Sequence, residues 1–201
     1  MKLIWLFGCS WVKLTCRKEG IYMEGKQIIA VTNRNLCTRP FLQVMEELAQ
    51  KELKTIVLRE KDLPEKEYEK LAGRCLEICQ KTGADLTIHN FISTARNLGV
   101  KKIHLPYSVF LKEADTLGDF DSVSTSIHKP EEVLHAQGLG ADFVFAGHIF
   151  ETDCKKGLAP RGLGFLKKVL ENARIPVYGI GGIHENNYQQ VLDAGAAGIC
   201  M

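Results

Sequence analysis

Residues 121–147 read DSVSTSIHKPEEVLHAQGLGADFVFAG. A short strand from Asp121 to Ser126 is followed by Pro130, a stretch of helical composition, and a second strand from Asp142 to Ala146. Proline is tolerated in the first turn of a helix, where its missing N–H would be unpaired anyway, so Pro130 predicts a helix opening there. Strand, helix, strand is one βαβ unit, and a crossover through a helix makes the two strands parallel.

The unit repeats in both directions. Before it, strands are predicted at Ile28–Val31, Thr55–Leu58, Asp85–Ile88 and Lys102–Leu105, and after it at Pro176–Ile180 and Gly198–Met201. Helical spacing fills the gaps at Phe41–Lys51, Glu65–Lys81, Ser93–Leu98, Leu163–Asn172 and Glu185–Ala194, with a weaker turn near Leu111. Most of the strands are short continuous apolar runs, the pattern of a sheet covered on both faces. A doubly wound sheet also fits this order. Eight strands at this spacing favour an α/β fold of the TIM (β/α)8 type, a barrel of parallel strands. The final helix is missing from the sequence, which predicts an apolar surface beside strands eight and one that favours association of copies into a homo-oligomer.

The expected domain is a single barrel over residues 23–201, with 1–22 as an N-terminal extension outside the fold. Lys2 followed by Leu3-Ile4-Trp5-Leu6-Phe7 resembles the start of a signal peptide, but Lys13, Arg17 and Lys18 break up the segment after it. No stretch reaches the about 18 apolar residues of a membrane span. With 26 basic and 24 acidic residues, the chain has no electrostatic footprint for nucleic acid. Its seven cysteines are odd in number and scattered, so they read as thiols in a reducing cytoplasm rather than as a disulfide framework. Cys75 and Cys79 lack the second Cys/His pair of a zinc site.

In such barrels chemistry gathers at the C-terminal ends of the strands. Those positions hold Arg59-Glu60-Lys61, His89-Asn90, His104, Ser126, His128, the run from Gly147 through His148, Thr152 and Lys155 to Gly157, and Gly181-Gly182. Arg59 to Lys61 also fit a solvated loop, His104 a locally bonded side chain, and the glycine pair a tight turn. Glycine further allows backbone N–H groups to approach a phosphate.

Val31-Thr32, Leu58-Arg59-Glu60-Lys61, Gly147-x-x-Phe150-x-Thr152 and Gly179-Ile180-Gly181-Gly182-Ile183 resemble the thiamine phosphate synthase superfamily. Ser126-Ile127-His128 and the run from Phe145 to Gly157 are similar to its thiazole tautomerase (TenI-like) branch. The resemblance implies an isomerase that shifts one proton to aromatise a carboxylated thiazole phosphate. His128 would be catalytic, since imidazole titrates near working pH. Arg59, Lys61, Asn90, Ser126, His148, Thr152 and Lys155 would bind the substrate, a small phosphorylated thiazole. Gly181 and Gly182 would bind its phosphate. No metal or other cofactor is expected on this reading. The synthases instead couple thiazole phosphate to hydroxymethylpyrimidine pyrophosphate, using magnesium held by two acids. Those positions here are Asn90 and Val109, and the first residue of the synthase Gln-Leu-Arg motif is Val57. Neither Asn90 nor Val109 supplies a carboxylate, so the expectation falls on the isomerase. The synthase, with magnesium, and a non-catalytic regulatory member of the fold are the alternatives.

Overall fold

The computed structural model describes residues 27–51, 53, 55–152, 155 and 157–201. Eight strands close into a barrel in chain order: β1 (Gln27–Val31), β2 (Thr55–Leu58), β3 (Asp85–His89), β4 (Lys102–Pro106), β5 (Ser122–Ile127), β6 (Phe143–Gly147), β7 (Val177–Ile180) and β8 (Gly198–Cys200). All neighbours are parallel, and β8 returns to β1 with Ile29 opposite Cys200. The helices between them are α1 (Phe41–Gln50), α2 (Glu65–Thr82), α3 (Ile92–Asn97), α4 (Tyr107–Glu113), α5 (Glu132–Gly138), α6 (Gly162–Asn172) and α7 (Tyr188–Asp193). This is the expected TIM-type α/β barrel. The proposed extension at 1–22 lies outside the described residues, as do Cys9, Cys16 and Cys154.

Successive side chains on a strand alternate between the barrel's inside and its helical jacket. Outward, Ile56, Leu58, Ile88, Ile103, Leu105, Ile127 and Val144 join one continuous core with the helices. On α2 the buried residues Tyr68, Ala72, Cys75 and Cys79 form a stripe at helical spacing. Burial raises the thiol pKa of Cys75 to about 12 and of Cys79 to about 11, so both behave as small apolar side chains. Beside β8 and β1, Ala30 and Ile199 face outward and are buried.

Two helix boundaries differ from the sequence reading. The weak turn near Leu111 is the helix α4, whose Phe110 is fully buried. Helix α5 starts at Glu132 rather than Pro130. The Glu132 carboxylate accepts from the His128 amide at 2.6 Å and the Lys129 amide at 3.1 Å, so it caps a turn that precedes the helix.

Inside, Ile29, Val57, Phe145, Tyr178 and Cys200 form a second apolar cluster. Val57, at the position where the synthase motif begins with glutamine, belongs to this packing. His104 stacks on Phe145 with ring centroids 4.1 Å apart, and His89 lies over His104 at 5.9 Å. The register explains the pair, because His89 of β3 is level with His104 of β4 and His104 is level with Ser124 of β5. Burial, then the charges of Arg59 and Lys61, lower the His89 pKa to about 3. Burial likewise holds His104 well below the usual imidazole value.

Tyr68 ties the jacket to the barrel. Its hydroxyl donates to the Leu58 carbonyl at 2.5 Å and accepts from the His89 amide at 3.1 Å. Tyr68→Phe removes both of these buried hydrogen bonds, and the expected loss is about 1–3 kcal/mol in urea unfolding. The histidines predict a pH effect with a definite sign. In the unfolded chain they take up protons near pH 6.5, whereas in the fold His89 resists protonation until about pH 3. Stability is therefore full above pH 6.5 and falls as the pH drops from there toward 3, by about 3 kcal/mol at pH 4 for His89 alone. Urea midpoints measured from pH 7.5 to 4 should decline, and less steeply in His89→Asn.

Candidate active site

The C-terminal end of the barrel is organised around one buried carboxylate. Glu60, in the loop that leaves β2, is 1% exposed. Its carboxylate accepts from the Thr32 hydroxyl at 2.5 Å and from the Arg34 amide at 2.8 Å. The Arg59 amide in turn donates to the Thr32 hydroxyl oxygen at 3.0 Å. Arg34 also pairs with Asp62 at 2.7 Å. The loops after β1 and β2 are thus locked together, and Arg59 is held at the rim. Glu60 is a structural anchor here, not a group of a solvated loop. Its anchoring role was not legible in the sequence, because its partners lie 26 and 28 residues away.

Four further cations, Arg59, Lys61, Lys155 and Arg161, share this end. Burial, then the like charges of Arg59 and Lys155, lower the Lys61 pKa. Burial, then Arg161 and Arg59, lower that of Lys155. Groups from the loops after β2 and β6 therefore feel one another across the mouth. Arg161, just before α6, carries no motif that marks it in the sequence. Its Nε donates to the Gly147 carbonyl at 3.0 Å, which brings its guanidinium beside His128. Arg59, Lys61, Lys155 and Arg161 together place a cluster of positive charge at this end with which to receive phosphate groups, while the Glu60 and Glu132 carboxylates accept hydrogen bonds from the protein.

His128 is half-buried, and its Nδ1 lies 2.8 Å from the same Gly147 carbonyl. A carbonyl oxygen only accepts, so Nδ1 carries the proton and Nε2 presents a lone pair. Burial lowers its pKa, against the Gly147 bond, and Lys155 and Arg161 lower it further. The ring is a neutral base at neutral pH. Ser126 is half-buried and contacts His104 Nε2 at 2.8 Å. Asn90 follows β3 with φ +72°, its amide bonded to the His104 carbonyl at 3.0 Å. Thr152 is half-buried beside Lys155 in the loop after β6. Lys156 is outside the described residues.

Two expected groups are accounted for by packing. His148 is buried, with Nε2 3.2 Å from the Leu158 carbonyl and Nδ1 without a hydrogen-bond partner among the described residues. Gly181 and Gly182 have φ of +96° and +66°, and a side chain on either would strike the backbone or Cβ of residues 148–151. The Phe150 amide bonds the Gly181 carbonyl at 3.0 Å. These glycines let the loops after β6 and β7 touch, a reason for their presence that is independent of any phosphate.

The magnesium implied by the synthase alternative does not fit the described residues at those positions. Asn90 has no charge, Val109 on α4 has no oxygen, and Glu60 is committed to Thr32 and Arg34. Among the described residues no group of three or more His, Cys, Asp or Glu side chains could hold a metal ion. A hard cation favours several oxygen ligands, preferably charged.

Comparison with known proteins narrows the reading. Residues 28–201 match the family model described as thiamine monophosphate synthase. The chain is 33% identical over 178 residues to the putative thiamine-phosphate synthase 2 of Aquifex aeolicus, covering 88% of this chain and 96% of that one. It is 30% identical over 177 residues to the thiamine-phosphate synthase of Fusobacterium nucleatum, covering 87% and 86%. Among solved structures, thiamine phosphate pyrophosphorylase from Pyrococcus furiosus aligns with a TM-score of 0.73 at 26% identity, covering 87% of this chain and 84% of that one.

These names correct the isomerase expectation. The sequence relatives are called thiamine-phosphate synthases, which are transferases, the solved structure is called a pyrophosphorylase, and nothing in these names indicates a thiazole tautomerase. The physical reason lies in the run from Phe145 to Gly157 that suggested the tautomerase branch. Phe145 and Ile149 are core residues, His148 is buried, and Phe150 contacts Gly181. The part of the run from Phe145 to Ile149 therefore reports how the barrel packs. No described helix is long and apolar enough to cross a membrane. The chain belongs to the thiamine monophosphate synthase family.

Proposed function

We propose that the protein is a transferase that joins thiazole phosphate to hydroxymethylpyrimidine pyrophosphate and releases pyrophosphate. The observation that carries this reading is the cationic mouth: Arg59, Lys61 and Lys155, with Arg161 beside them, set over a neutral barrel interior. Both substrates bring phosphate groups, and the released pyrophosphate is itself highly charged. In the coupling step a new bond forms from the thiazole ring nitrogen to the pyrimidine's methylene carbon. The bond from that carbon to the pyrophosphate oxygen breaks, and its electron pair leaves with the pyrophosphate.

The charge that builds on the leaving oxygen needs a fixed counter-charge close by. Arg59 is suited to that task because its amide is tied to Thr32, which Glu60 holds in turn. Arginine also matches phosphate oxygens with two parallel N–H donors. Lys61 and Lys155 add point charges from opposite loops. Gly181, Gly182, Asn90, Thr152 and His148 enter this reading as residues that shape the loops around the substrates. The neutral His128 places a proton acceptor at the rim without adding to the repulsion among the cations. No step here runs through a metal, because the carboxylates that would hold one are absent at Asn90 and Val109.

The test is formation of thiamine phosphate from both substrates, measured by product chromatography beside an established synthase. Product is expected. Arg59→Ala and Lys155→Ala should each lower turnover by about 10²-fold, the scale for removing one charge-stabilising group. No product, under conditions where the control turns over, would contradict the assignment.

A further inference from the structure

The loop after β6 leaves the barrel at His148 and returns at Arg161. Its two ends are joined: the Arg161 amide donates to the His148 carbonyl and the Gly162 amide to the Ile149 carbonyl, each at 3.0 Å. The Ile149 amide donates to the Ile180 carbonyl at 2.9 Å, which ties this neck to β7. Between the ends stand Thr152 and Lys155. Gly157, Leu158, Ala159 and Pro160 are all exposed, Leu158 by 62%, so apolar burial does not hold this stretch in place.

A side-chain bond across the neck does. His148 is buried, and its Nε2 lies 3.2 Å from the Leu158 carbonyl. A carbonyl only accepts, so Nε2 is the donor. From Leu158 the hold passes along the backbone. The Leu158 amide donates to the Lys155 carbonyl at 3.2 Å, and the Lys155 amide donates to the Thr152 carbonyl at 3.1 Å. The His148 bond therefore fixes the turn on which Lys155 stands. Nδ1 of the same ring is buried with no hydrogen-bond partner among the described residues. A buried polar atom without a partner is a cost that an apolar side chain of similar size would avoid, so what the imidazole adds here is its Nε2 donor.

We propose that His148 is a positioning residue that holds Lys155 over the mouth of the barrel, and so sets how tightly the site grips a pyrophosphate group that His148 itself does not touch. This rests on the transferase reading above, which gives Lys155 a phosphate group to meet. A lysine is a point charge on a flexible stem, so its grip depends on where its backbone is held. The ring acts from the neck of the loop, through Leu158, on a side chain seven residues further along the chain.

Two measurements test this apart from turnover. Long-range proton–nitrogen NMR on the unaltered protein should find a proton on His148 Nε2; a bare Nε2 would overturn the proposal. Calorimetry of inorganic pyrophosphate, with a chelator present, should show His148→Met binding about tenfold more weakly, the scale of one lost hydrogen bond. His148→Gln, whose side-chain amide can donate from nearly the same place, should recover most of the affinity. In a Lys155→Ala background the His148→Met change should cost less than about twofold, because the side chain it positions is gone, whereas in Arg59→Ala it should still cost about tenfold. Equal losses in those two backgrounds, a Gln variant as weak as the Met variant, or unaltered affinity in His148→Met would overturn it. Absence of pyrophosphate binding in the unaltered protein would overturn both this proposal and the reading it rests on. Failure of the transferase reading alone shows differently, as absence of thiamine phosphate while the coupling between His148 and Lys155 persists.

Discussion

Eight parallel strands enclose a space that only side chains can fill, and the rest of this structure depends on how that filling is divided. Low in the barrel the filling is apolar, with Ile29, Val57, Phe145, Tyr178 and Cys200 in one cluster. Above Phe145 it becomes polar but uncharged, with His104 stacked on that ring, His89 beside it, and Ser124 and Ser126 bonded to His104. Buried polar groups are tolerated when each has a partner, and His104 has one at each ring nitrogen. A neutral floor of this kind leaves the field at the mouth to the cations around it.

That field is held in place by the opposite device, a buried charge. Glu60 is fully enclosed, and desolvation raises its pKa, while the Thr32 and Arg34 bonds and the Arg34 charge oppose the rise. Removing one partner of such a group is costly because the charge is left without compensation. The anchor thus joins the loops after β1 and β2 and keeps Arg59 at the rim. Across the mouth, the Gly147 carbonyl accepts from both His128 and Arg161. One backbone oxygen sets the tautomer of the first and the placement of the second.

The barrel was legible because its strands are short, mostly apolar and regularly spaced, and periodicity reads that pattern directly. Helix starts were less legible: Glu132 capping the amides of His128 and Lys129 moved the start of α5 past Pro130. The rim cations Arg59, Lys61 and Lys155 could be found because the barrel places strand ends together. Arg161 could not, since its role depends on a bond to Gly147, 14 residues away. The His104 layer required the register between β3, β4 and β5, which no local pattern contains. The choice of reaction was the least legible, because part of the stretch that resembles the tautomerase branch, from Phe145 to Ile149, is occupied in packing.

The central claim is that side-chain cations, set over a neutral interior, receive the pyrophosphate group directly. Titration calorimetry of inorganic pyrophosphate into the protein, with a chelator present and then with magnesium, tests it most simply. The account predicts saturable binding in the chelator that weakens with added salt and is lost in large part in Arg59→Ala and Lys155→Ala. Binding that appears only with magnesium, or binding that ignores both substitutions, would contradict it.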